Sequence, residues 1–262
     1  MELKVNGKRV HAATGGREFD PSLPAVIFVH GAGLDRTVWA LQTRYFAHRG
    51  HGVLAVDLPG HGHSEGPPLP SIEGIADWLA ATIAAAGLKD AALVGHSMGS
   101  LVALECAARH PERVRALALV GAAAAMPVHP DLLAAAEAND VSAREAITFW
   151  GHSRPAQIGR DQVPGLWMVG GGMRLLERGA PGVLHNDLKA CAAYTGGMAA
   201  AAKVTCPVRL ILGDRDGMTP LKGGKALADG FHAAETLILP GCGHMIMAEQ
   251  PDRALDALIG FV

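Results

Sequence analysis

The sequence predicts an α/β fold: a doubly wound, mostly parallel sheet carrying an inserted helical cap. Short continuous apolar runs ending at glycine or aspartate recur along the chain, helix-like segments alternate with them, and one long stretch has no strand pattern. A strand covered by helices on both faces needs apolar side chains on both. Its sequence therefore runs apolar, without the two-residue alternation of a half-solvated strand.

The chain opens with Leu3-Lys4-Val5 and Lys8-Arg9-Val10 around Asn6-Gly7. Asn-Gly accepts the positive φ of a two-residue hairpin turn, so a hairpin is expected there. The run 24–30 stops at Gly31 and reads as the first buried strand. Further strands are expected at 53–57, 91–95, 114–120, 208–213 and 235–239, with the alanine-rich stretch 116–126 read as buried strand throughout. Helices are expected at 38–48, 72–86, 98–109, 221–229 and 253–261. Alternation of this kind implies right-handed crossovers, with ligands gathering at the carboxyl ends of the strands.

Between Met126 and about Lys203 the alternation fails, and only helical patches at 131–138, 143–150, 166–177 and 187–194 are visible. Residues 1–125 and 203–262 are therefore expected to form the core and 126–202 a helical cap. Pro127 and Pro130 mark one border and Cys206-Pro207 the other.

A chain of 262 residues with 49% hydrophobic content can bury a large core. Its formal net charge of −2 supplies no dense cationic face, so neither nucleic acid nor an anionic membrane is an expected partner. Cys106, Cys191, Cys206 and Cys242 lie far apart with no C-x-x-C pair, which fits neither zinc nor a disulfide framework and favours a reduced, cytoplasmic setting. No apolar run has the length of a membrane span, and the first residues lack the apolar core of a signal peptide. The expectation is a monomer or homodimer acting on a small molecule.

The chemistry centres on Gly95-His96-Ser97-Met98-Gly99, placed between a predicted strand and a predicted helix. That is the context of a G-x-S-x-G nucleophile elbow, in which a strained turn exposes the serine Oγ and glycines let strand and helix approach. The Met98 amide, at the start of the helix, is a candidate oxyanion donor. A serine hydroxyl needs a base. Among thirteen histidines His244 is preferred, because Pro240-Gly241-Cys242-Gly243-His244 is a glycine-rich loop after the last strand. His96 is expected to pack structurally, and His61 and His63 have metal-pair spacing but no third ligand, so no metal is expected. The base needs an orienting acid, and Gly213-Asp214-Arg215-Asp216 offers two; Asp216 is preferred, since the position directly after the strand tends to make turn contacts. A second oxyanion donor is available at the Ala32 amide in His30-Gly31-Ala32-Gly33, where His30 is read as a structural hydrogen-bonder.

Taken together these motifs resemble the α/β-hydrolase fold family over most of the chain outside the cap. His30-Gly31-Ala32-Gly33 resembles its oxyanion loop, Asp57-Leu58-Pro59-Gly60-His61-Gly62-His63-Ser64 its D-x-x-G-x-G-x-S turn, and Gly243-His244 with Glu249 and Pro251 its histidine loop. The order Ser97, Asp216, His244 is the family's order. The resemblance implies Ser97 as nucleophile, His244 as base and acid, Asp216 as orienting acid, the Ala32 and Met98 amides as oxyanion hole, a structural role for the 57–64 turn, and no cofactor.

Serine at the elbow argues against the carboxylate-nucleophile dehalogenase and epoxide hydrolase branches, and only Tyr45 and Tyr194 exist to form a cap tyrosine pair. A carboxylesterase-like enzyme cleaving neutral, hydrophobic, short- or medium-chain esters is expected. A carbon–carbon bond hydrolase or lactonase with the same triad, a proline-releasing aminopeptidase, and a non-catalytic hydrolase-like receptor stay open. Substrate pocket candidates are His30, Gly31, Gly33, Trp150, Trp167 and Met168.

Overall fold

The computed structural model describes residues 1–159 and 165–262. The hairpin forms as β1 (Glu2–Val5) and β2 (Lys8–Ala13), with Asn6 and Gly7 both at positive φ. Six more strands follow: β3 (Ala25–Val29), β4 (Gly52–Val56), β5 (Ala91–His96), β6 (Val114–Val120), β7 (Val208–Gly213) and β8 (Glu235–Leu239). They make one eight-stranded sheet in the order β1-β2-β4-β3-β5-β6-β7-β8. The hairpin edge is antiparallel and every pairing from β4 to β8 is parallel.

Alternate residues of the central strands enter opposite cores, as a doubly covered sheet requires. Ile27 and Val29 pack with α2 (Ile72–Ala85) and α3 (Met98–Arg109), whereas Val26 and Phe28 pack with α1 (Ala40–Ala47) and α12 (Pro251–Asp256). Among the described residues, six helices lie in the connection from β6 to β7: α4 (Pro130–Glu137), α5 (Val141–Gly151), α6 (Arg154–Gln157), α7 (Met168–Glu177), α8 (Val183–Ala193) and α9 (Gly197–Ala201). No strand occurs there among the described residues. The remaining helices are α10 (Leu221–Ala228) and α11 (Ile246–Glu249).

Three local readings change, and three short helices are additional. The stretch 116–126 is strand only to Val120, because Gly121 turns at φ 58° and the ring of His244 occupies the space beside it. The segment 38–48 begins as a 3-10 turn, Arg36–Trp39, capped by the Asp35 side chain, before α1. The last helix ends at Asp256, with turns beyond. The short helices α6, α9 and α11 lack the multi-turn periodicity that a sequence pattern needs.

No described helix is long and apolar enough to cross a membrane. Among the described residues no three His, Cys, Asp or Glu side chains gather as a metal site. His61 and His63 diverge: the first bonds Asp187, the second stacks edge-on against His11.

Candidate active site

The register Val29↔Gly95 brings the ends of β3 and β5 level, so the loop after β3 and the elbow after β5 share one rim of the sheet. Ser97 caps α3 at φ 53°, ψ −122°, a strained conformation for a non-glycine residue. The flanking glycines are required by contact. A Cβ at Gly95 would lie 2.2 Å from the Gly99 carbonyl oxygen, and one at Gly99 would lie 2.4 Å from that of Val29. Neither the Ala32 nor the Met98 amide donates to a backbone acceptor among the described residues, which leaves both free for a ligand oxygen.

The loop after β7 and the loop after β8 meet beside this elbow. Nδ1 of His244 donates to Asp216 Oδ2 at 2.8 Å, and the Thr219 hydroxyl donates to the same oxygen at 2.7 Å. Asp216 Oδ1 accepts from the amides of Met218 and Thr219. Burial opposes the charge on Asp216, but His244 and the Thr219 donors outweigh it and hold the carboxyl below the usual carboxylate range. Asp214 instead accepts from the Gly241 amide at 2.7 Å and bridges the two loops. His244 Nε2 is buried and has no hydrogen-bond partner among the described residues, Ser97 included. It is the one ring nitrogen of this pair left for a proton to arrive at.

His96 is fully buried and its Nε2 donates to the His244 carbonyl at 3.0 Å; its ring lies 4.7 Å from that of His244. Burial, reinforced by the neighbouring His244, lowers its pKa to about 3, so it stays neutral. His30 Nε2 accepts from the Leu58 amide and Nδ1 donates to the Gly31 carbonyl. Burial and the adjacent His61 lower its pKa to about 4. His30 thus braces the 57–64 turn against the β3 loop.

A cavity of about 430 Å³ opens above Ser97 and His244. Gly31 and Ala32 form its floor, and Leu132, Ile147, Trp150 and Leu188 from the inserted helices its roof. Of the six pocket candidates, Gly31 and Trp150 line it and the other four lie elsewhere. His30 is withdrawn into the core by the bonds just described. Gly33 faces Leu184 and Leu176, Trp167 is 74% exposed and folds over Gly170, and Met168 lines a separate cavity with Thr37, Leu41 and Leu175. Cys191 also reaches the cavity, but burial pushes its thiol pKa far up, which disfavours a thiolate nucleophile.

Sequence reasoning passed over Thr219, Glu249 as a ligand of backbone, and Asp187. The Glu249 carboxylate accepts from the amides of Gly243 and Ser153, and the Gly151 carbonyl accepts from those of His244 and Met245, so the histidine loop is tied to the end of α5. Thr219 had a local signal, standing three residues after Asp216 as a side chain able to close an Asx-type turn. Apart from its neighbour Asn186, the partners of Asp187, Gly33 and His61, are far away in sequence and left none.

Residues 26–257 match the model of the alpha/beta hydrolase family, and the chain belongs to that family. It is 30% identical over 245 residues to the pimeloyl-[acyl-carrier protein] methyl ester esterase of Aromatoleum aromaticum, a match spanning 87% of this chain and 94% of that protein. Among solved structures, a thermophilic esterase superposes with a TM-score of 0.81 at 27% identity, over 98% of this chain and 94% of that one. The enol-lactonase of Burkholderia xenovorans LB400 superposes with a TM-score of 0.88 at 22% identity, over 100% and 99%, a likeness of fold.

Proposed function

We propose that this chain is a carboxylic-ester hydrolase that forms an acyl-enzyme on Ser97 under a helical cap made by residues 126–202. The observation that carries the reading is the buried His244, oriented by Asp216 and with Nε2 unpartnered, sharing one cavity with Ser97.

In this mechanism His244 Nε2 takes the Ser97 proton as Oγ attacks the ester carbonyl. The carbonyl oxygen becomes an alkoxide facing the Ala32 and Met98 amides, whose charge stabilisation typically contributes the largest share of rate. Collapse expels the alcohol, which leaves with the proton held on His244. Water then gives a proton to the same nitrogen, attacks the acyl carbon, and a second collapse releases the acid and restores Ser97. The Asp216 carboxylate stabilises the imidazolium in both halves.

The roof residues Leu132, Ile147, Trp150 and Leu188 favour a neutral hydrophobic acyl group of short or medium length. The esterase activity of the 30% identical relative supports an ester over a carbon–carbon bond. The four unpaired cysteines suit a reducing, cytoplasmic compartment. A panel of p-nitrophenyl esters tests the reading: turnover of neutral acyl chains, lost in Ser97→Ala, supports it, and turnover confined to charged or amide substrates refutes it.

A further inference from the structure

Asp187 lies on α8, within the helical insertion, and is fully buried. Its Oδ2 accepts from the Gly33 amide at 2.9 Å and from His61 Nε2 at 2.7 Å. The other ring nitrogen of His61, Nδ1, lies 3.1 Å from the Pro59 carbonyl. Both nitrogens therefore face acceptors, which only a doubly protonated ring satisfies, and Asp187 is the counter-ion. Gly33 adjoins Ala32, and its Cα is packed beneath the same insertion: a Cβ there would meet Leu184 of α8 at 2.7 Å and Leu176 of α7 at 3.1 Å. A second tie joins Arg178, just past α7, to Asp35 at 3.0 Å.

We infer that Asp187 is a positioning residue for the oxyanion hole: by holding the Gly33 amide it fixes the Ala32 amide beside Ser97, so that the hole is complete only while the inserted helices are seated on the sheet. The inference rests on the acyl-enzyme reading above. Hydrogen bonding within α8 would not need a carboxylate at 187, and anchoring of the insertion alone would not need its acceptor placed on the residue next to the oxyanion donor. The His61–Asp187 pair fixes where that carboxylate stands, and the carboxylate fixes the loop.

A kinetic comparison separates positioning from anchoring. Asp187→Ala is expected to lower kcat for a p-nitrophenyl ester by about 10- to 100-fold with KM within about threefold, because one well-placed oxyanion donor is worth ~10²–10³ in kcat and misplacing it forfeits part of that. Asp187→Asn, which keeps an oxygen for Gly33, should recover most of the loss. Affinity for an alkylboronic acid, a tetrahedral mimic, should fall in parallel with kcat/KM. If Asp187→Ala fails to fold, the double variant Asp187→Leu/His61→Leu replaces the buried ion pair with apolar groups and commonly retains stability; its kcat should still fall at least 10-fold. Normal kcat in either folded variant, or a rise in KM alone, would overturn the inference. Wild-type protein inert toward every ester would instead overturn the acyl-enzyme reading beneath it.

Discussion

Asp216 Oδ2 stands 2.8 Å from Nδ1 of His244, on an oxygen that also receives the Thr219 hydroxyl. The imidazole is thereby held with its proton on Nδ1 and its lone pair on Nε2. Asp216→Asn would present an amide to Nδ1 and favour the wrong tautomer. Its kcat for ester hydrolysis should drop by ~10⁴ with little change in stability, as for other orienting acids. Asp214→Asn, altering a loop bridge to Gly241, should stay within about twofold, the range of ordinary surface changes. Parallel steady-state kinetics on the two variants check this.

The buried histidines set the acid stability. His30 and His96 have pKa values near 4 and 3 in the folded protein, well under the ordinary value of 6.5, so unfolding between pH 6 and 4 takes up about two protons. Stability should fall by ~2–3 kcal/mol per pH unit as pH is lowered through 5. His61, whose pKa is raised, is protonated in both states in that window; its contribution is lost only as pH rises above 6.5 toward its folded value. Urea midpoints measured from pH 7 to pH 4 test the slope, and His96→Gln should remove about one proton from it.

The tie between the histidine loop and α5 is the next target. Glu249→Ala strips the acceptor from the Gly243 and Ser153 amides. At ~1–3 kcal/mol for each buried donor left unpaired, Tm should drop by roughly 10 °C. Calorimetry at neutral pH measures it, and an unchanged Tm would mean that water replaces the carboxylate at no cost.

Elements whose signal is local were legible in the sequence. Strands β3 to β7 announced themselves because burial on both faces makes their sequences largely apolar, and Gly95 and Gly99 marked the elbow through steric need. Asp216 was separable from Asp214 by its offset from the strand end. Contacts between segments far apart in the chain were not legible. Asp187 reaches Gly33 across 154 positions and Glu249 reaches Ser153 across 96. The pocket was only partly readable for the same reason: which inserted helices roof the cavity depends on how the insertion seats, and α7, with Met168 and the preceding Trp167, does not line it.

The cavity roof should set chain-length preference. Ile147→Trp fills space beside Trp150, opposite the elbow. kcat/KM for p-nitrophenyl hexanoate should fall ~10-fold or more while acetate stays within about threefold, since each excluded methylene is worth ~10-fold or more in a filled pocket.

The central claim is that Ser97 carries the acyl group. Acid quenching of the wild-type enzyme within the burst phase of a slowly deacylating p-nitrophenyl ester, followed by peptide mass mapping, reads it directly. The expected result is the acyl mass added to the peptide holding Gly95-His96-Ser97-Met98-Gly99, localised to Ser97 and missing from Ser97→Ala. An adduct on another residue, or continued turnover by Ser97→Ala at the wild-type rate, would contradict it.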